Sequence, residues 1–202
     1  GLHAIAMPPA DRPIATALRM ARGMMVSAEP DDDTGAFLAG IERALERGVR
    51  LLQLRARHAG PARLRELATA VQRLAQAHGA RVLINGEPGL AIELGLDGVH
   101  LPASALTPVR PVPPGMLCGA SCHDARQLAA ALVAGVDYVV LGPVAETVSH
   151  PGAAPLGWQA AAALIEDYPL PVFLIGGLGP GDLAAARAAG AYGIAGIRAY
   201  VA

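Results

Sequence analysis

The stretch VLINGEPGLAIELGLDGVHLP, residues Val82 to Pro102, contains one complete structural unit, and the rest of the chain is read outward from it. An apolar run, Val82 to Ile84, surfaces at a polar Asn85 and a flexible Gly86. Pro88 then suits the first turn of a helix, and Gly95 suits the left-handed turn that ends one. A second apolar run closes on His100. Two short apolar runs joined by one helix make a β-α-β unit with parallel strands buried on both faces.

The same punctuation recurs as ERGVRLLQL (46–54), AHGARVLIN (77–85), ELGLDGVHL (93–101), VAGVDYVVLG (133–142) and AAGAYGIAGI (188–197). Eight strands are predicted: Gly23–Ser27, Leu51–Ala56, Arg81–Asn85, Gly98–Leu101, Met116–Cys122, Tyr138–Gly142, Val172–Gly176 and Gly193–Ile197. Helices fit at Thr34–Arg47, Pro61–His78, Pro88–Leu94, Asp124–Ala134, Trp158–Asp167 and Gly181–Ala189. The fourth connection, ASALTPVRPVPPG, is too rich in proline for a full helix. Eight strands with this alternation, in a chain of 202 residues, predict a compact single-domain α/β fold, the (β/α)8 TIM barrel. An open doubly wound sheet is the alternative.

Residues 1–21 stand outside the repeat as a linker or the tail of a preceding domain, and 22–202 form the barrel. The chain ends soon after the eighth strand, which is expected of one domain of a longer protein. Hydrophobic residues make up 53% and aromatics only 3%, so the core is expected to be built from Ala, Val, Leu and Ile. No apolar run reaches the roughly 18 residues of a membrane span, and no signal peptide opens the chain. A soluble cytoplasmic protein with no membrane partner is expected. Net charge is −1, and all 16 basic residues are Arg without a long run, which argues against nucleic acid. Cys118 and Cys122 share one strand about 13 Å apart, too far for a disulfide, and read as small buried hydrophobes.

Barrel chemistry sits at the C-terminal strand ends. There the chain offers Gln53, Arg55 and Arg57 on one face of strand two, Asn85 on strand three and His100 on strand four. Ser121 and His123 share a face of strand five, and Thr147, Ser149 and His150 follow strand six. An inward arginine pair favours an anion, whereas Asn85 could instead cap the next helix. Three histidines without an HxH pair or a carboxylate partner make a poor zinc site. In VFLIGGLGPGDL (172–183), Gly176 and Gly177 lead into a helix start, a combination that holds phosphate or simply makes tight turns.

In this order, the motifs QLRAR (53–57), LINGEPGLAIELGLDGVHLP (83–102), GASCH (119–123), YVVLGPVAETVSHPGAAPLG (138–157) and VFLIGGLGPGDLAAARAAGAYGIAGI (172–197) resemble the thiamine phosphate synthase and TenI (thiazole tautomerase) family. The resemblance runs over about residues 22–200 and implies the same (β/α)8 barrel. It implies that Gly176, Gly177, Ala195 and Gly196 hold a thiazole phosphate. It also implies that Gln53, Arg55, Arg57, Asn85 and Ser121, with Thr147 and His150 in the strand-six loop, face the other substrate. Arg57 and His150 replace lysines of the family pattern. The two carboxylates that bind Mg²⁺ in the synthases read Gly86 and Ala105 here, and neither side chain offers an oxygen. Glu87 and Asp97 are the nearest carboxylates, but neither sits where the family pattern places one.

Three functions follow from the resemblance. A TenI-type enzyme needs a phosphate grip and an acid-base, for which His123 is the match, but no metal or other cofactor. A thiamine phosphate synthase would need Mg²⁺. A non-catalytic module would bind thiazole or thiamine phosphate beside an upstream Nudix domain, whose tail MPPADRPIATAL (7–18) resembles. The TenI-type activity is the leading expectation, and self-association is left open.

Overall fold

The computed structural model describes residues 21–147, 152 and 154–197. Eight parallel strands close into a barrel in chain order, with β8 returning to β1. They are β1 (Gly23–Val26), β2 (Leu51–Leu54), β3 (Arg81–Asn85), β4 (Gly98–Leu101), β5 (Leu117–Cys122), β6 (Tyr138–Leu141), β7 (Val172–Leu174) and β8 (Gly193–Gly196). The helices outside are α1 (Thr34–Glu46), α2 (Pro61–Ala77), α3 (Pro88–Leu94), α4 (Ala125–Ala134), α5 (Gly157–Ile165) and α6 (Leu183–Ala188). The proline-rich fourth connection holds a single 3-10 turn, Ala103–Ala105. No helix among the described residues is long and apolar enough to cross a membrane.

Local sequence accounts for the boundaries. Asp33 accepts the Ala36 N–H at 2.9 Å and starts α1, and Asp124 does the same for the Gln127 N–H at 2.8 Å in α4. Gly95 and Gly135, with φ of 64° and 73°, close α3 and α4 in the left-handed conformation that a side chain would strain. Two residues after each of these glycines comes an aspartate that ties neighbouring strands together at the N-terminal end of the barrel. Asp97 accepts the Val82 N–H at 2.8 Å, and Asp137 accepts the Cys118 N–H at 2.9 Å. Arg81 and Arg110 pair with these carboxylates.

Strand alternation separates two cores. Leu52, Leu54, Val82, Ile84, Cys118 and Cys122 face the helices. Met24, Leu51, Leu83, Leu117, Tyr138, Phe173 and Tyr192 fill the barrel interior. The interior corrects the expectation of a wholly aliphatic core. Tyr138, Phe173 and Tyr192 stack edge to face, with centroids 5.7 and 5.9 Å apart. Both cysteines are buried and unbridged, and burial pushes their thiols up to about 11 and about 12. They act as small hydrophobes.

Candidate functional site

The C-terminal mouth holds a cavity of about 320 Å³. Gln53, Arg55, Arg57, Asn85, Ser121 and His123 all line it, together with Val26, Pro102, Ala103, Ser104, Cys122, Val140, Gly142, Ile175 and Ile197. Six sequence-predicted residues therefore converge from three strands. A second cavity, of about 360 Å³, lies between α1 and α6 beside Arg22, Arg50 and Leu183, and none of the predicted site residues reaches it.

Asn85 does not cap α3, whose first turn follows Glu87 without a side-chain cap. Its Nδ2 instead donates to Gln53 Oε1 at 3.0 Å, which locks the two amides together inside the mouth. The buried Gln53 turns its own Nε2 toward the Met24 sulfur at 3.8 Å, a weak acceptor. Arg55 and Arg57 have no ion pair among the described residues. The nearby Glu29 is occupied by the main-chain N–H groups of Arg57 and His58, at 3.1 and 2.8 Å. Burial first, then the adjacent Arg57 charge, lowers the Arg55 pKa, with Glu29 opposing. Two close guanidinium groups on a half-enclosed wall make a site for an anion.

His123 gains a defined tautomer from a residue that the sequence did not single out. Gln127 Oε1 lies 2.8 Å from the His123 main-chain nitrogen and 2.9 Å from its Nδ1. A main-chain N–H can only donate, so the amide presents its oxygen, and Nδ1 must also donate. The neutral ring then keeps its lone pair on Nε2, the nitrogen left to a ligand. The signal was present as H-D-x-x-Q, a four-residue spacing across a helix start.

His100 lies deeper and is fully buried between Tyr138 and Ser121. Desolvation, and secondarily the Arg55 charge, pulls its pKa from 6.5 to about 3. The unfolded chain binds a proton below about pH 6.5, whereas the folded one refuses it until about pH 3. The stabilisation is complete above the unfolded value and is lost as pH falls through this window, at roughly 1.4 kcal/mol per unit. Urea unfolding at pH 7, 5 and 4 should show a shallower loss of stability for His100→Gln than for the parent. Equal slopes would contradict this.

Gly176 and Gly177 have φ of 105° and 66°. A Cβ on the first would stand 2.6 Å from Pro143 Cα, and on the second 2.5 Å from the Glu146 carbonyl oxygen. These glycines let the β7 turn lie directly on the β6 loop, where Ala145 donates to the Gly176 carbonyl at 3.0 Å. The Gly179 N–H ahead of α6 is taken by the Asp182 carboxylate at 2.9 Å. Ala195 is fully buried in the barrel interior, Gly196 ends β8, and Ile197 just beyond it reaches the cavity. Thr147 is half-buried and does not line the cavity, and Ser149 and His150 lie outside the described residues.

No carboxylate lines the cavity among the described residues, and no group of three or more His, Cys, Asp or Glu there could hold a metal ion. Gly86 and Ala105 supply no oxygen, Asp97 braces the opposite end of the barrel, and the exposed Glu87 does not reach the cavity. The described residues therefore give Mg²⁺, which is held through one or two carboxylates, no carboxylate in the cavity and do not fit it.

Comparison with known proteins gives consistent matches. The profile of a family described as thiamine monophosphate synthase matches residues 24–200. A Geobacter sulfurreducens protein named, provisionally, a thiamine-phosphate synthase is 40% identical over 172 residues, covering 82% of this chain and 80% of that one. A Thermus thermophilus thiamine-phosphate synthase is 37% identical over 179 residues, covering 87% and 86%. Among solved structures, a thiamine phosphate pyrophosphorylase from Pyrococcus furiosus superposes with a TM-score of 0.76 at 22% identity, over 89% and 87% of the two chains.

Proposed function

Since this chain belongs to the thiamine monophosphate synthase family, we propose that its mouth carries out a metal-independent proton transfer on a thiazole phosphate, the TenI-type activity. One observation carries this reading. Among the described residues, the cavity combines two arginines without an ion pair and a histidine of fixed tautomer with a wall free of carboxylates. His123 Nε2 takes a proton from one carbon of the carboxylated thiazole phosphate and returns it at another position, so the ring becomes aromatic with no net loss of atoms. Arg55 and Arg57 hold an anionic group of the substrate, and the locked Gln53–Asn85 pair orients it. The main chain at Gly176–Gly177 and at the end of β8, near Ala195 and Gly196, is proposed to receive the phosphate.

The alternative is thiamine phosphate synthesis itself, which the names of the relatives favour. It differs in requiring a divalent metal. Deuterium incorporation during tautomerisation of the carboxylated thiazole phosphate in deuterated water, followed by NMR with a chelator present, tests the proposal. Incorporation should proceed unchanged by the chelator. Abolition by the chelator would favour the synthase, and binding without incorporation would leave a non-catalytic binding module.

A further inference from the structure

Three side chains from three strands form an unbranched chain of hydrogen bonds beneath the mouth. Tyr138 Oη lies 2.9 Å from His100 Nδ1, and His100 Nε2 lies 2.8 Å from Ser121 Oγ. Tyr138 and His100 are fully buried, whereas Ser121 is half-buried and lines the cavity. Tyr138 reaches His100 across β5 because the residue between them in register is Gly119. A Cβ there would stand 2.1 Å from the Tyr138 ring carbon Cζ.

This chain of bonds has a direction. The Tyr138 hydroxyl has His100 Nδ1 as its one hydrogen-bond partner among the described residues. Its proton is satisfied only by donation to that nitrogen, so Nδ1 carries the lone pair. The dry surroundings keep the ring neutral, which places its remaining proton on Nε2, facing Ser121 Oγ. Ser121 therefore accepts from His100 and turns its own proton toward the cavity. Reversing the chain would strand the tyrosine proton in the interior. Ser121, at the cavity wall, would gain nothing it lacked. An unmade buried donor disfavours the reverse arrangement by roughly tenfold or more.

We propose that Tyr138 and His100 are positioning residues that fix Ser121 as a hydrogen-bond donor into the cavity, so that this point of the wall favours an anionic acceptor, a phosphate or carboxylate oxygen, over a donor-only group such as an ammonium. The direction of the relay holds whatever reaction the mouth performs, whereas its use in binding rests on the phosphate-ligand reading above. Tyr138 sets the polarity from the buried end, and Gly119 makes the relay possible by leaving room for the phenol.

Ring-nitrogen NMR of ¹⁵N-histidine protein, without ligand and near neutral pH, reads the tautomer directly, with the His100 signals identified by their loss in His100→Gln. The ring should be protonated at Nε2 and bare at Nδ1, and a ring protonated at Nδ1 would overturn the relay. Tyr138→Phe should give a mixture of tautomers, while Ser121→Ala should leave the Nε2–H form intact. The opposite pattern would show that polarity is set from the cavity and would also overturn it. In calorimetry with inorganic diphosphate, Ser121→Ala should weaken binding roughly tenfold, the scale of a hydrogen bond to a charged group. Unchanged affinity would remove the proposed use of the donor. No binding by the parent would sink the functional reading, with the tautomer still deciding the relay.

Discussion

A His123→Ala protein is expected to turn over carboxylated thiazole phosphate at least ~10²-fold more slowly than the parent, the usual scale for a general acid-base group. The effect should fall on kcat, with KM nearly unchanged, because the arginines and amides that grip the substrate stay in place. The expectation rests on the Gln127 carboxamide. Its single oxygen accepts both the main-chain N–H and the Nδ1–H of His123, and so presents Nε2 as the base. Gln127→Leu removes that constraint while leaving the imidazole, and should give a smaller loss of kcat than His123→Ala. Wild-type turnover in His123→Ala would instead leave His150 as the candidate, since both ring nitrogens of His100 are already hydrogen-bonded beneath the cavity and burial opposes its taking up a proton.

Removing both guanidinium groups, as Arg55→Ala with Arg57→Ala, should weaken inorganic diphosphate binding by roughly 10²- to 10⁴-fold. Each charge-assisted contact contributes about 1.5–3 kcal/mol. Without ligand, the same protein should be no less stable than the parent. Arg55 is half-buried beside a like charge, and neither arginine has an ion pair among the described residues. Arg55→Lys should recover only part of the affinity, because an ammonium keeps the charge but not the planar two-point grip. Isothermal titration across a salt series measures both effects. A double variant that binds diphosphate like the parent would move the anion site away from this wall.

Much of this arrangement was legible in the sequence because glycine-punctuated parallel strands constrain the chain so strongly. The predicted α3, Pro88–Leu94, matches the observed helix, and Gly95 and Gly135 close their helices as read. Strand two ends earlier than expected. The Ser27 hydroxyl, rather than a strand neighbour's carbonyl, takes the Arg55 N–H at 2.8 Å, so the ladder stops at Leu54 while Arg55 and Arg57 still face the cavity. The roles of Gln127 and Tyr138 were not legible. Gln127 looked like an ordinary helix residue until its oxygen was placed between two donors. Tyr138 read as one more apolar strand residue, and its hydroxyl gained meaning only when register set it opposite Gly119 and within reach of His100. Contacts of this kind depend on shear between strands, which no local pattern records.

Metal dependence separates the proposed activity from the alternative most sharply. The direct measurement is formation of thiamine phosphate from the two half-molecules by the unmodified chain at saturating Mg²⁺, with thiazole tautomerisation followed in parallel under chelator. The wall offers two arginines and no carboxylate among its described residues. Little or no thiamine phosphate should therefore form, while tautomerisation continues without metal. Robust Mg²⁺-dependent synthesis would contradict the account, because some other carboxylate would then have to replace the oxygens missing at Gly86 and Ala105.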